Sequence, residues 1–166
     1  MRKYIYMLTL LVLGLSACKK DEPIGGTSVQ TMSGEWWVQA DGTGSYYKVV
    51  TNNTADNSTS KMWLDLTNFW GTNDAPAQLV KARVNVNTAD QTFSVTKVAN
   101  VENSGYNDPT LTITITGGKV ITDGAIGPVS KQKTDAISFS AEFSDQPGTV
   151  FKFSGYHRTK FPDDDH

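Results

Sequence analysis

"TLTITIT", residues 110–116, alternates threonine with branched apolar side chains over seven positions. In an extended chain Leu111, Ile113 and Ile115 fall on one face and the threonines on the other. β-Branched residues on both faces favour a strand, because a helix restricts their side chains more severely. The stretch therefore predicts a strand with one apolar and one polar face.

The same period of two recurs along most of the chain. It is found in "KMWLDLTN" at 61–68, "LVKARVNVN" at 79–87 and "AISFSAEF" at 136–143. Further strands are predicted at residues 35–40, 45–51, 92–98, 119–125 and 150–161. Connectors rich in Asn, Asp and Gly separate these runs, and the pair Gly117-Gly118 is typical of a tight turn between two strands.

These signals predict an all-β fold. Eight or nine sequential strands with short connectors indicate an antiparallel meander. Closure of the sheet into a barrel of about eight strands would remove its exposed edges and cover its apolar face, so a barrel is the favoured architecture. A two-sheet β-sandwich is the alternative.

The amino terminus has the three parts of an export signal. Arg2 and Lys3 precede an apolar stretch at 4–15, and small residues follow before Cys18, the single cysteine. The apolar stretch is too short to span a bilayer, which takes about 20 residues. "LSAC" at 15–18 resembles the bacterial lipobox, which implies cleavage before Cys18 and acylation of its thiol. An ordinary signal peptide with an incidental cysteine is the alternative.

This interpretation divides the chain into three segments and predicts its location. Residues 1–17 are a lipoprotein signal peptide, 18–33 the acylated cysteine and a flexible tether, and 34–166 the β-barrel domain. "KKDE" at 19–22 resembles the export signals of surface lipoproteins of the Bacteroidota, and it lacks the aspartate of inner-membrane retention signals. We therefore expect a protein lipid-anchored to the outer membrane and exposed at the cell surface, with the periplasmic face as the alternative.

Charge argues against a nucleic-acid partner. Arg2 and Lys3 are two of the 15 basic residues, so the processed chain carries 13 bases against 17 acids and a net charge of −4. Nucleic-acid binding requires a basic patch, and none is visible. No cofactor is expected either.

Gly34 and Trp36 resemble the Gly-x-Trp signature of lipocalin-like barrels. In such proteins the glycine lets the chain cross the closed end of the barrel and the tryptophan plugs that end. A basic residue of the last strand packs over the ring, and the resemblance implies that Arg158 takes this role, with Lys160 as the alternative. Arginine over tryptophan would gain a cation–π attraction of roughly 0.5–2 kcal/mol.

The terminal segment 148–166 is similar to the corresponding segment of the Bacteroidota lipoprotein family of "lipid-binding putative hydrolases". The matching positions are Gly155, His157, Arg158, Thr159, Phe161, Pro162 and Asp163. Lys160 stands where that pattern has a glycine. The resemblance implies a lipocalin-like barrel, and it covers the ends of the chain better than the middle.

Catalytic and metal-binding motifs are scarce. His157 is the one internal histidine, and Ser154 lies three residues before it, which places the two side chains on opposite faces of a strand. We therefore predict no catalytic residues, and ester hydrolysis is the weakest alternative function. One internal histidine and no free cysteine predict no metal site, and the run 163–165 is interpreted as a solvated acidic tail.

Apolar side chains on the inward faces provide the main functional hypothesis. A barrel of eight strands is just wide enough to be filled by side chains or to hold one small ligand. We predict binding of a fatty acid, lipid or similar apolar molecule, with Tyr156 or His157 near its polar group. The predicted ligand-binding residues are Leu64, Ile113, Phe139, Phe151, Phe153, Tyr156 and His157.

Two alternatives to lipid binding remain open. The same inward residues could form a filled core without any ligand. A surface lipoprotein could instead recognise a glycan or a protein partner through exposed aromatic platforms. The candidates for such platforms are Tyr46, Trp63, Trp70 and Tyr106.

Overall fold

The computed structural model describes residues 25–70, 78–101 and 110–166. Within these ranges, eight strands pair antiparallel in chain order and close into a barrel, with the last strand beside the first. The meander and the barrel are thereby confirmed and the β-sandwich is excluded. The strands are β1 (Gly34–Ala40), β2 (Thr43–Asn53), β3 (Lys61–Trp70), β4 (Gln78–Asn87), β5 (Thr92–Ala99), β6 (Thr112–Ile126), β7 (Lys133–Phe143) and β8 (Val150–His157).

The pairing of β1 with β8 closes the barrel and defines its two ends. Trp36 lies opposite His157, and Ala40 lies opposite Phe153. We call the end with Trp36, where odd-numbered strands begin and even-numbered strands end, the plug end. The opposite end is called the mouth.

Alternation along the strands puts one apolar face of each inside the barrel. Buried inward side chains of all eight strands, each at most 3% exposed, form a single core, and partly buried side chains such as Tyr47, Phe69 and Phe151 pack against it. The core includes Val38, Val49, Leu64, Leu66, Ala82, Val84, Phe93, Ile113, Ile115, Ile137, Phe139 and Phe153. Polar side chains of the same strands face solvent, as the period of two predicts.

Two sequence expectations about strand boundaries are wrong. Gly117-Gly118 makes no hairpin turn, because β6 runs through it and shifts register against β7 between Thr116 and Lys119. The pair forms a bulge, which requires the positive φ of 61° at Gly117 and leaves no room beside Phe93 for a side chain at Gly118. The last strand ends at His157 instead of residue 161.

Residues before β1 pack onto the plug end. A short 3₁₀ turn, Gln30–Met32, follows Val29, and the side chains of Val29 and Met32 are fully buried. The packed domain therefore includes part of the segment that the sequence suggested as tether. Among the described residues no helix has the length and apolar character needed to cross a membrane.

At the plug end, the absence of a side chain at Gly34 lets the His157 ring lie close to the backbone of β1. A Cβ at this position would overlap the imidazole of His157. We expect Gly34→Ala to lower the free energy of unfolding by about 1–3 kcal/mol, the usual cost of overpacking. Urea denaturation measures this loss. Gly25→Ala is the control, since no atom lies within 4 Å of where its Cβ would be. Equal stability of the two variants would contradict the expectation.

Candidate functional site

Trp36 seals the plug end of the barrel. Its indole is 1% exposed, and its Nε1–H donates a hydrogen bond of 2.8 Å to the Oγ1 of Thr51. The same oxygen accepts from the Gly34 N–H at 3.1 Å and donates to the Met32 carbonyl at 2.6 Å. Thr51 thus uses its full hydrogen-bonding capacity to tie the preceding segment to the barrel.

The ring that packs on Trp36 belongs to His157 and not to Arg158, in contrast to the role implied by the family resemblance. The two rings meet edge to face with centroids 4.8 Å apart. Arg158, one residue further, lies outside the barrel because neighbouring residues point to opposite sides. Its Nε donates to Asp165 Oδ1 at 2.7 Å, and its Nη1 donates to Glu35 Oε2 at 2.9 Å.

Aromatic rings gather inside the barrel at the mouth. We call Tyr47, Phe69, Phe143, Phe151 and Phe153 the mouth cluster. The Phe69 ring lies at its centre, 4.6 Å from Phe153, 5.0 Å from Tyr47 and 5.0 Å from Phe151 by centroid distance. Phe143 and Phe153 are buried, whereas the other three rings are only partly buried. The mouth is therefore an apolar surface that solvent still reaches.

Five of the predicted ligand-binding residues share the barrel interior. Phe151 and Phe153 belong to the mouth cluster, and Phe139 stacks on Phe153 with centroids 4.9 Å apart. Leu64 and Ile113 are each 1% exposed within the core. The phenylalanines thus form a path of rings from the mouth toward the middle of the barrel.

Tyr156 and His157 lie away from this path. Tyr156 is on the outer face, where its hydroxyl donates to the Asp164 carbonyl at 2.7 Å, and its pKa is raised to about 12, chiefly by burial. His157 is in the plug, and burial lowers its pKa. Neither side chain is placed to meet a polar group at the mouth.

Sequence reasoning did not select Phe69 or Tyr47 for the site. Strict alternation from Leu64 and Leu66 would place Phe69 outside, but an irregularity in the β3–β4 register between Thr67 and Trp70 reverses the faces. Such a bulge has no clear signal in the sequence. Tyr47 could have been found, because it is in phase with the inward Val49 and Thr51.

The carboxyl-terminal residues 158–166, here called the tail, fold back over the outer face. Asp164 is fully buried, and its Oδ1 accepts from the N–H groups of Val129 at 2.8 Å and Ser130 at 2.9 Å. Burial alone would raise its pKa, but these bonds and those from the Ser130 and Thr159 hydroxyls outweigh burial and lower it. The tail is therefore a docked element, so its interpretation as a solvated acidic run is wrong.

The tail also covers one predicted aromatic platform. The imidazole of His166 stacks on Tyr46 with centroids 3.8 Å apart. Trp63 lies on the outer face, with Lys81 Nζ 5.4 Å from the centre of its ring. The side chain of Trp70 and all of Tyr106 fall outside the described residues.

Residues with catalytic or metal-binding potential are dispersed. Ser154 is exposed on the outer face, whereas His157 is inside against Trp36. Asp163 is exposed, while Asp164 and Asp165 bind the β6–β7 loop and Arg158 respectively. Within 25–70, 78–101 and 110–166, no three His, Cys, Asp or Glu side chains group as a metal site would require.

Fold and site together define a small antiparallel β-barrel that is plugged at one end and lined with aromatic rings at the other. The family model described as "Lipid-binding putative hydrolase" matches residues 21–162, and the chain belongs to this family. No curated protein matches the chain. A lipid-binding role fits both the family and the barrel.

Acid should weaken the docking of the tail. Hydrogen bonds from Arg158 and then Trp37 lower the pKa of Asp165 to about 2, compared with about 3.9 in an unfolded chain. The folded state thus favours the ionised carboxylate. The contribution of this carboxylate to the free energy of unfolding is fully present above about pH 4 and is lost as the pH falls toward about 2. We expect Asp165→Asn to be less stable at pH 7 and to lose less stability across that window.

Urea denaturation at several pH values from neutral to acid tests this expectation. Asp163→Asn is the matched control, because Asp163 is an exposed neighbour in the same segment. Parallel pH profiles for the parent protein and Asp165→Asn would contradict the assigned role of the carboxylate.

Proposed function

We propose that the protein is a membrane-anchored lipoprotein that binds a fatty acid or another lipid at the mouth of its barrel, without catalysing a reaction. The observation that carries the proposal is the mouth cluster. Three of its rings remain partly exposed, although the other end of the same barrel is sealed by buried side chains. The family description supports a lipid as the ligand.

Burial of the acyl chain would supply the binding free energy. Each methylene removed from water contributes about 0.8 kcal/mol, and the rings of Phe69, Phe151 and Tyr47 would lose solvent at the same time. Phe143 and Phe153 form the floor beneath those rings, with Phe69 contacting both. Because the cluster carries no formal charge, affinity should depend little on salt.

The position of His157 supports binding over hydrolysis. Its ring is held between Trp36 and Gly34 at the plug end, away from the mouth cluster. Ser154, its neighbour in sequence, is on the other side of the barrel wall. A nucleophile and its base must instead lie within hydrogen-bond reach of each other.

Anchoring through acylated Cys18 completes the proposal. The signal-like residues 1–17 and the lipobox-like "LSAC" support it, and "KKDE" at 19–22 favours the outer membrane and cell-surface display in a member of the Bacteroidota. Several acyl chains on one cysteine would make membrane attachment effectively stable.

Removing one ring from the mouth should weaken ligand binding. We expect Phe151→Ser to lower the affinity for a fluorescent fatty acid by about tenfold, since losing contact with one aromatic side chain costs roughly 1.4 kcal/mol or more. Fluorescence titration of detergent-free protein measures the dissociation constant. Phe161→Ser is the matched control, because Phe161 is 46% exposed and lies in the tail.

Two results would count against this assignment. Equal loss in both variants would show that the fatty acid does not use the mouth. Absence of uptake by the parent protein would indicate a filled core and shift attention to the outer face around Trp63.

Removal of the proposed anchor should change the phase in which the protein is recovered. Cys18→Ser should move the protein from the detergent phase to the aqueous phase when cells that process lipoproteins are fractionated, because the acylated thiol is lost. Immunoblotting of the two phases and the mass of the parent protein measure this outcome. Detergent-phase partition that is unchanged in the variant would exclude the proposed anchor.

A further inference from the structure

We propose that the plug end rests on the membrane through an exposed apolar surface, so that the mouth points away from the bilayer that holds the protein. This surface consists of Ile126, Val129 and Phe161 and is called the basal patch. The inference rests on the anchoring at Cys18 proposed above. It does not depend on which ligand the mouth takes.

The basal patch exposes large apolar side chains that nothing in the described chain covers. Ile126 is 60% exposed, Val129 59% and Phe161 46%. Ile126 ends β6, Val129 lies in the following loop, and Phe161 precedes the second 3₁₀ turn, Pro162–Asp164. All three therefore belong to the plug end.

A buried carboxylate holds the two parts of the basal patch together. Asp164 Oδ1 accepts from the N–H of Val129 at 2.8 Å, and its Oδ2 accepts from the Thr159 hydroxyl at 2.6 Å. Asp164 N–H also donates to the Phe161 carbonyl at 3.0 Å. The loop and the tail are thus fixed against each other.

Charged groups around the basal patch suit a lipid surface. Lys131 and Lys160 are exposed beside it, and Lys133 lies 4.0 Å from Asp123 in an exposed ion pair. Asp163 is the exposed acid of the neighbouring turn. Apolar side chains bordered by lysine are typical of surfaces that lie in the headgroup region of a bilayer.

The path of the chain identifies the membrane as the occupant. Ser28 N–H donates to Asn57 Oδ1 at 2.8 Å in the β2–β3 connection, and Val29 is buried, so the chain reaches the barrel at the plug end. Residues 18–24 alone separate the proposed anchor from Gly25, where the described structure begins. At about 3.5 Å each they span at most about 25 Å. The plug end is thus the end held nearest the lipid.

This orientation has a functional consequence. A mouth directed away from its own bilayer would take its ligand from the surroundings or from a facing membrane. A mouth directed at the bilayer would extract lipid from the leaflet that anchors it. The first arrangement is the one that the basal patch supports.

A matched pair of valines tests the orientation. Val129 is 59% exposed in the basal patch, and Val150 is 50% exposed at the mouth, where β8 begins. In the full-length acylated protein the native cysteine is blocked, so Val129→Cys and Val150→Cys each offer one thiol for an environment-sensitive fluorophore. Each labelled protein is bound to vesicles of phosphatidylethanolamine and phosphatidylglycerol that contain a spin-labelled lipid.

We expect the label at residue 129 to shift to shorter wavelength and to be quenched at least about twofold more than the label at 150, because interfacial side chains enter the headgroup region. Equal quenching, or stronger quenching at 150, would overturn the orientation while leaving the anchor intact. Failure of both labelled proteins to associate with vesicles would overturn the anchor and the orientation together. Fatty-acid titration of the same proteins tests the mouth independently.

Discussion

Burial of the Trp36 indole at the plug end is the interaction on which the rest of the structure depends. Its hydrogen bond to Thr51 joins β1 to β2, and its contact with His157 joins β1 to β8, the pair of strands that closes the sheet. Closure satisfies the backbone groups that an open sheet would leave at its edges. The preceding segment completes the seal, because Met32 is buried there and its carbonyl accepts from Thr51.

The two ends of the barrel have opposite chemistry. The plug end uses buried side chains and a close glycine approach to exclude water, whereas the mouth cluster leaves three rings partly accessible. Under the proposed function, stability and ligand binding therefore belong to different ends of the barrel. The family match agrees with a lipid ligand, and the proposed contact surface for that ligand is the partly accessible part of the mouth cluster.

Much of the fold and part of the candidate site could be predicted from local pattern. Alternation of the kind seen in residues 110–116 identified the strands and most inward positions, including Phe139 and Phe153. Phe69, at the mouth, was not predicted to point inward, because an irregularity in the β3–β4 register reverses the inward and outward faces of β3 before this residue. Arg158 was expected over Trp36, but the alternation at the end of β8 gives that contact to His157. In both places a shift of one residue changes the side of the sheet.

The sequence by itself determined the class of fold, because a period of two and frequent turn residues are local properties of the chain. It also determined the net charge and the resemblance to a family of lipid-binding proteins. Only the tertiary structure decided where side chains meet. It placed Tyr156 beneath the tail, docked Asp164 on the loop after β6, and brought Tyr47 to Phe69. The geometry of these contacts depends on strand register, bulges and barrel closure, which local pattern does not encode.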